Sequence, residues 1–551
     1  MGSEGKKRVA IVGGGISGLA SLKECRAAGF EADILEARGE IGGQWAYQPI
    51  SPHTKDQGPI YSSIYDGVVL NSCRDTSGFT DFPIDPARYG DYFGHRQMLQ
   101  YIKEYADHFG LKEHVRLRTK VIGCVQTEDQ RWRVTLQQEG KEVEEKVYDA
   151  VFAASGALIK PMVPDFKGME SFKGECFHSQ SYRTPGRFEG TRVALIGLGS
   201  GAVDLSSELA PGCKEVHVVT RKGGWILPRY VLGKPTEAWD NRATQVWVPL
   251  SVSQWLQTVL LNTVQGKHPE ELQPDHRIME QNPTIRSEFL ERVRTGAIQA
   301  HRAEIDSFTE TGLKLSNGTH LDVDVVICCT GYHHSLPYLP TDVISSPATP
   351  PHSVDLWKMM VPLKQRSLFV MGFLELAGPA APALEAQARL AVAALEGRVK
   401  IPESQQMEKE IRTFQAWQAK TFVRSPRHSL TDHYVRYVDS VLAPLGANPT
   451  MGRLLQQVFS SGDPWKALKT LNAVYFGITS SAQWRLCGHG KDEMLARETV
   501  LRIADGKETL SQEEVKLLSK TGTHTKTHTG THTGTPTGAP DKLDSESSHS
   551  P

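Results

Sequence analysis

The sequence predicts an α/β fold with two Rossmann-like dinucleotide-binding domains and a helical C-terminal region. Three observations predict it. Residues 8–36 read as strand, glycine turn, helix and strand, and Val9-Ala10-Ile11-Val12 is the short apolar run that a buried parallel strand requires. Residues 192–221 repeat that pattern, with Val193-Ala194-Leu195-Ile196 as the strand. Each unit also has an apolar return strand: Ala150-Val151-Phe152-Ala153-Ala154 ends at Ser155-Gly156, and Asp324-Val325-Val326-Ile327-Cys328-Cys329 ends at Thr330-Gly331-Tyr332. Two such units in one chain imply two nucleotide-binding domains.

Composition narrows the function. At 551 residues the chain has room for two or more domains. Its 62 Lys+Arg and 63 Asp+Glu give a net charge of −1. That balance argues against nucleic acid as a partner and gives no electrostatic reason to sit on an anionic membrane. The eight cysteines form no C-x-x-C pair and no zinc spacing, so no metal is expected. No run of about 18 apolar residues occurs, so no spanning helix is expected. Lys6, Lys7 and Arg8 run straight into the first strand, so no secretory leader is expected.

Gly13-Gly14-Gly15-Ile16-Ser17-Gly18 is G-x-G-x-x-G after a strand and before a helix. Gly13 permits the tight turn, Gly15 lets backbone approach a pyrophosphate, and Gly18 lets helix and strand pack closely. Glu36 closes the second strand 18 residues past Gly18, where an acid binds a ribose hydroxyl. Ile41-Gly42-Gly43-Gln44-Trp45 follows, and a second glycine pair just beyond the acid points to FAD. Gly43, Gln44 and Trp45 are therefore candidate FAD contacts.

Gly197-Leu198-Gly199-Ser200-Gly201-Ala202 is the second fingerprint, with Ala202 in place of the third glycine. The position equivalent to Glu36 is Thr220, each lying 23 residues past the first glycine of its motif. The ribose-binding carboxylate is thus missing, and Arg221 and Lys222 follow. A carboxylate would repel a 2′-phosphate, whereas an arginine holds it with two hydrogen bonds. This predicts NADPH over NADH, with Gly197, Gly199, Ser200, Thr220, Arg221 and Thr330 as candidate contacts.

Between the two motifs, Phe172-Lys173-Gly174-Glu175-Cys176-Phe177-His178-Ser179-Gln180-Ser181-Tyr182 fits F-x-G-x-x-x-H-x-x-x-[YF]. This resembles the signature of the flavin-containing monooxygenases. Val69-Leu70-Asn71-Ser72 with Asp81-Phe82-Pro83 resembles that family's asparagine-containing active-site loop, and Cys329-Thr330-Gly331-Tyr332 resembles its A-T-G-Y strand end. Arg427-His428 and Gln483-Trp484-Arg485-Leu486 resemble its C-terminal part, so the resemblance covers roughly residues 7–503. It departs from the family at Ala202 and in the Thr/His/Gly-rich end of the chain, where microsomal members carry a hydrophobic anchor.

The resemblance implies hydride transfer from NADPH to FAD and uptake of molecular oxygen as a C4a-hydroperoxyflavin. Attack by an amine nitrogen or sulfide sulfur then gives an N-oxide or S-oxide. It further implies that Asn71 is the catalytic residue, donating from its amide near the flavin without offering an acidic proton. His178 fits a structural role better than that of a general base, Phe172 and Tyr182 fit packing, and Asp204 fits orientation of the second glycine helix. Glu385, Gln387 and Arg389 read as solvated or capping positions of one helix.

The expected organisation is a first part of the FAD domain over 1–165 and an NADP domain over 166–330 with a variable insertion near 235–295. The FAD domain is completed with helices over 331–515, and a disordered tail follows over 516–551. Other classes stay open: Baeyer–Villiger oxygenation of ketones, which Tyr182-Arg183 disfavours; an NADPH oxidase; a disulfide reductase using Cys328 and Cys329, adjacent in sequence and poorly placed for a reversible pair; and a non-catalytic flavoprotein. A cytoplasmic location is expected, with peripheral attachment to the endoplasmic reticulum membrane as the alternative, and a homodimer is allowed for.

Overall fold

A computed structural model describes residues 6–50, 59–344, 354–423, 430–507 and 514–515. Arg427-His428 and the segment 516–551 lie outside them. Two five-stranded, all-parallel sheets dominate the molecule. The first runs in the order Leu368–Val370, Ala150–Ala153, Arg8–Val12, Glu31–Leu35, Val115–Arg116. The second runs Gln299–Arg302, Glu215–Thr220, Arg192–Ile196, Val325–Cys328, Glu175–His178. In each, the strand that precedes a glycine motif is central. Val9, Ala10 and Ile11 are fully buried, as are Val193, Ala194 and Leu195, because parallel strands are covered on both faces.

The helices Ile16–Ala27 and Ser200–Leu209 leave the two glycine turns. The first sheet is completed from far along the chain: Leu368–Val370 pairs with Ala150–Ala153, and the helix Ala380–Leu395 packs on the first glycine helix. Two antiparallel additions accompany the sheets. One is the meander Thr119–Gln126, Trp132–Gln138, Glu144–Tyr148, which the sequence analysis did not resolve. The other is the hairpin sheet Ile305–Thr309, Gly312–Leu315, His320–Asp322, whose second turn holds Asn317-Gly318 as expected. The insertion after Thr220 contributes the helices Arg242–Trp247 and Leu250–Gln265. C-terminal helices span Ser404–Thr421, Tyr434–Leu442, Met451–Ser460, Pro464–Phe476 and Glu493–Ala504.

Candidate functional site

The first glycine turn is sterically exact in its demands. Gly13 has φ +108°, and a Cβ there would lie 2.6 Å from the Ala154 carbonyl oxygen. A Cβ on Gly18 would lie 1.9 Å from the Gly13 oxygen. Gly15 faces Gly43: a Cβ on Gly43 would stand 2.8 Å from the Gly15 Cα, and the Gly42 N–H donates to the Gly14 carbonyl at 2.9 Å. The second glycine pair is therefore packed on the first motif, and together they leave bare backbone at the helix N-terminus, a geometry able to hold a pyrophosphate.

Glu36 organises the same turn. One carboxylate oxygen accepts from the Gly14 N–H at 2.6 Å and the other from the Arg38 N–H at 2.8 Å. Burial raises its pKa, against the pull of those two backbone donors. Each oxygen keeps a lone pair for a ribose hydroxyl. Arg38, which the sequence analysis missed, donates to the carbonyls of Gly43 (3.1 Å) and Ala46 (2.8 Å) and so fixes the Gly42–Trp45 loop. Gln44 ties that loop outward: its Oε1 accepts from the Ser63 N–H at 3.0 Å and its Nε2 donates to the Leu158 carbonyl at 3.2 Å. Trp45 is half-buried against the first core.

At the second turn Gly197 has φ +122°, and a Cβ would meet the Cys329 carbonyl oxygen at 2.6 Å. Gly199 has nothing within 4 Å of its Cβ direction, which leaves an open cradle at the start of the helix. Ala202 is fully buried at the position of Gly18, so this helix packs with a methyl group where the first cannot. Ser200 opens the helix and is exposed. Asp204, one turn on, is buried with an oxygen 3.5 Å from Arg286; burial raises its pKa and Arg286 opposes the rise. Thr220 ends its strand and donates to the Lys222 carbonyl, while Arg221 is exposed beside it. The Thr330 hydroxyl donates to the Met162 carbonyl.

The segment 172–183 joins the two units. A Cβ on Gly174 would lie 2.4 Å from both the Asp324 carbonyl oxygen and the Phe172 ring, so glycine there lets Phe172 fold onto Phe308. His178 is buried; its Nδ1 accepts from the Gln180 N–H at 3.1 Å, and burial pushes its pKa down to about 4. A neutral imidazole used as a local cap is a structural group. Tyr182 is buried between Tyr65 and Phe188 and donates to Glu208 at 3.0 Å. Arg183, read from sequence only as the end of the signature, donates to the carbonyls of Gln48, Ser62, Gln180 and Tyr182 at 2.6–2.8 Å. It thereby anchors the linker to the first unit.

Asn71 lies in a loop clamped by residues that follow the second glycine motif. Glu237 accepts from the Cys73 N–H at 2.8 Å, and Arg229 donates to the carbonyls of Leu70 (3.4 Å) and Val69 (3.5 Å). The Asn71 Oδ1 is buried and accepts no hydrogen bond among the described residues.

A flavin-binding monooxygenase-like family model matches residues 6–526. The chain belongs to this family. It is 32% identical over 514 residues to flavin-containing monooxygenase 5 of Cavia porcellus, covering 91% of this chain and 92% of that one. It is 31% identical over 511 residues to dimethylaniline monooxygenase [N-oxide-forming] 2 of Cavia porcellus, covering 90% and 91%. Among solved structures it is similar to the S-allyl-L-cysteine S-oxygenase of Allium sativum, with a TM-score of 0.61, 23% identity, and 80% and 88% of the two chains covered. It is also similar to OTEMO in complex with FAD and NADP, with a TM-score of 0.57, 19% identity, and 75% and 90% covered. The expectations of a flavin-dependent monooxygenase and of a two-unit α/β fold are both met.

Of the two readings of Glu385, Gln387 and Arg389, solvated face or core cap, the solvated one is corrected. In this flavin monooxygenase all three are buried. Gln387 accepts from the Gly372 N–H (2.9 Å) and donates to the Tyr437 hydroxyl (2.6 Å), and Arg389 donates to the carbonyls of Trp484 (2.9 Å) and His489 (2.7 Å). Glu385 accepts from the Thr80 N–H at 2.7 Å and meets Lys23 and Arg485. Glu24 and Asp81 complete the cluster, so three carboxylates face Lys23 and Arg485. Burial would raise the Glu385 carboxyl, but Arg485 and Lys23 outweigh it and hold it down to about 2. Arg485 also donates to the Thr80 Oγ1 at 2.7 Å, so the cluster anchors the far end of the loop that starts at Asn71.

Proposed function

We propose that this monooxygenase uses FAD, NADPH and molecular oxygen to oxygenate a soft nitrogen or sulfur of a small amine or sulfide, giving an N-oxide or S-oxide. FAD seats on Gly13, Gly15, Gly18, Glu36 and the Gly43-Gln44-Trp45 turn, and NADPH on Gly197, Gly199, Ser200, Thr220, Arg221 and Thr330. When bound, these cofactors supply hydride transfer and oxygen activation; the protein supplies position, shielding and one donor. The observation that carries the reading is Asn71, whose buried oxygen has no donor among the described residues, in a loop clamped by Arg229 and Glu237. A nucleotide amide or hydroxyl can supply that donor, leaving the Asn71 NH₂ to stabilise oxygen-centred charge. The Tyr182-Arg183 ending of the family signature supports heteroatom chemistry. An N-oxide-forming relative and an S-oxygenase neighbour support the same choice. A panel of tertiary amines, thioethers and ketones tests it. One oxygenated amine or sulfide per NADPH is the expected result; esters from ketones would make it a Baeyer–Villiger enzyme, and peroxide alone an NADPH oxidase.

Arg221 is assigned to the 2′-phosphate. The position where a strand-end acid would favour NADH holds Thr220. Arg221→Ala is expected to raise KM for NADPH about 10-fold or more, the equivalent of one charge-assisted contact, with KM for NADH little changed. Equal effects on both nucleotides would remove this role.

No helix among the described residues is long and apolar enough to cross a membrane. The exposed surface nevertheless favours peripheral attachment over a purely cytoplasmic location. The helix Leu250–Gln265 carries no charged residue in 16 positions, and Trp255 and Leu256 on it are 63% and 50% exposed. Exposed Trp247 stacks on Tyr475 and lies against Phe476, which is 55% exposed. The uncharged helix Leu250–Gln265 with its exposed tryptophan suits the headgroup boundary of a bilayer. The double variant Trp255→Ser/Leu256→Ser is expected to weaken binding to phosphatidylcholine vesicles about 100-fold, from two side chains of ~1.5 kcal/mol each. Self-association without vesicle binding would assign the face to a second copy.

A further inference from the structure

We propose that Cys176 and Cys328 form a peroxide-driven disulfide site in the second sheet. Their sulfurs lie 3.9 Å apart although 152 residues separate them in the chain. The strands Glu175–His178 and Val325–Cys328 pair in parallel with Cys176 opposite Val326 and Cys328 opposite His178. The two cysteines are thus diagonal neighbours on one face, the face covered by the hairpin sheet around Phe308 and Leu313. Cys329, the sequence neighbour of Cys328, points into the opposite core with Val193 and Leu195. Period-two alternation therefore rules out the adjacent pair and selects the cross-strand one.

Three features suit this pair to oxidation. Bridging needs the sulfurs to close from 3.9 Å to ~2.05 Å. Glu175–His178 is an edge strand, hydrogen-bonded within the sheet on one side only, so closure need not break a second strand pairing. Cys176 is half-buried, whereas Cys328 is fully buried. The contact with Cys328 draws the Cys176 thiol below its ordinary pKa, and the same contact raises that of Cys328. Cys176 is accordingly the attacking thiolate and Cys328 the resolving thiol.

The chemistry balances with hydrogen peroxide as oxidant. The Cys176 thiolate attacks one peroxide oxygen; an S–O bond forms, the O–O bond breaks, and hydroxide leaves to be protonated to water. The Cys328 sulfur then attacks the Cys176 sulfenic acid; an S–S bond forms, the S–O bond breaks, and hydroxide departs with the Cys328 proton as a second water. Two thiols are oxidised by two electrons and one peroxide is reduced to two waters. Peroxide is what an oxygen-activating flavoenzyme releases when substrate is absent. That source rests on the proposed function, whereas the thiol chemistry does not. The bridged strands lead into the Ser179–Ser181 turn and into Cys329, against whose carbonyl the Gly197 turn packs, so the bridge would stiffen the wall of the second nucleotide cradle.

The test adds hydrogen peroxide directly to the purified full-length protein, without NADPH, then counts thiols and maps peptides by mass spectrometry. The expected result is the loss of two of the eight thiols, with one peptide pair joined through Cys176 and Cys328 and separated again by dithiothreitol. The bridge should vanish in Cys176→Ser and persist in Cys213→Ser, because Cys213 is also half-buried but its thiol donates to the Phe188 carbonyl, at 3.2 Å. Eight intact thiols, a sulfinic acid on Cys176 without a bridge, or a bridge between any other pair would overturn the proposal. The wild-type peptide map decides it even if a variant fails to fold.

Discussion

Asn71→Asp is expected to keep oxidising NADPH while oxygenated product falls about 100-fold and hydrogen peroxide takes its place. The magnitude is that of removing one preorganised donor from developing oxygen-centred charge. The loop is held in place by contacts other than the Asn71 side chain. Arg229 binds the carbonyls of Val69 and Leu70, Glu237 binds the Cys73 N–H, and Tyr92 donates to the other Glu237 oxygen at 2.8 Å. None of these contacts involves the amide. The variant exchanges an NH₂ donor for a second carboxylate oxygen beside one that is already buried and unsatisfied. The readout is product per NADPH together with peroxide release, alongside flavin content and melting temperature to separate chemistry from folding. An unchanged ratio of product to NADPH would remove Asn71 from the mechanism. Asn71→Ser, which keeps a hydroxyl donor, should retain part of the yield.

Arg485→Ala should destabilise the protein by about 3–5 kcal/mol, the usual consequence of removing one partner from a buried charge cluster. Glu24, Asp81 and Glu385 would be left facing Lys23, with the Thr80 hydroxyl and the Gly490 carbonyl losing their donor. Arg485→Lys keeps the charge but not the fork that reaches five partners, so it should fall between Ala and wild type. Thermal unfolding and retention of flavin measure both; a melting point unchanged in Arg485→Ala would show that the cluster contributes no stability. The cluster also predicts acid sensitivity. The folded Glu385 carboxyl is held down to about 2, below its ordinary 4.5. A depressed acid contributes stability that is fully present above about pH 4.5 and is lost as the pH falls toward 2. Glu385→Gln should be less stable at neutral pH and should lose that part of the acid slope.

Much of the fold was legible because its rules are local. Gly13, Gly15 and Gly18 are readable from spacing alone, since the atoms that exclude a side chain at Gly18 belong to the same turn. The apolar runs at 9–12 and 193–196 are readable because a strand covered on both faces cannot hide that demand. The missing acid at Thr220 is readable because strand lengths in the two units match.

The rest depended on residues distant in sequence. Glu385 and Arg389 sit on an alanine- and leucine-rich helix, and what meets them is not visible locally: the Glu385 partners Lys23, Thr80 and Arg485 lie 362, 305 and 100 residues away. Arg183 and Arg38 look like ordinary surface charges until the carbonyls they gather are placed around them. Cys328 has Cys329 as its neighbour in sequence and Cys176 as its neighbour in space, because a pleated strand turns adjacent side chains to opposite faces. The sequence by itself determined the two glycine-motif α/β units and the family, which are encoded within segments of about 30 residues. Only the tertiary structure decided which charges are buried, which thiols meet and what clamps Asn71, because each of those depends on chains brought together by packing and not by sequence.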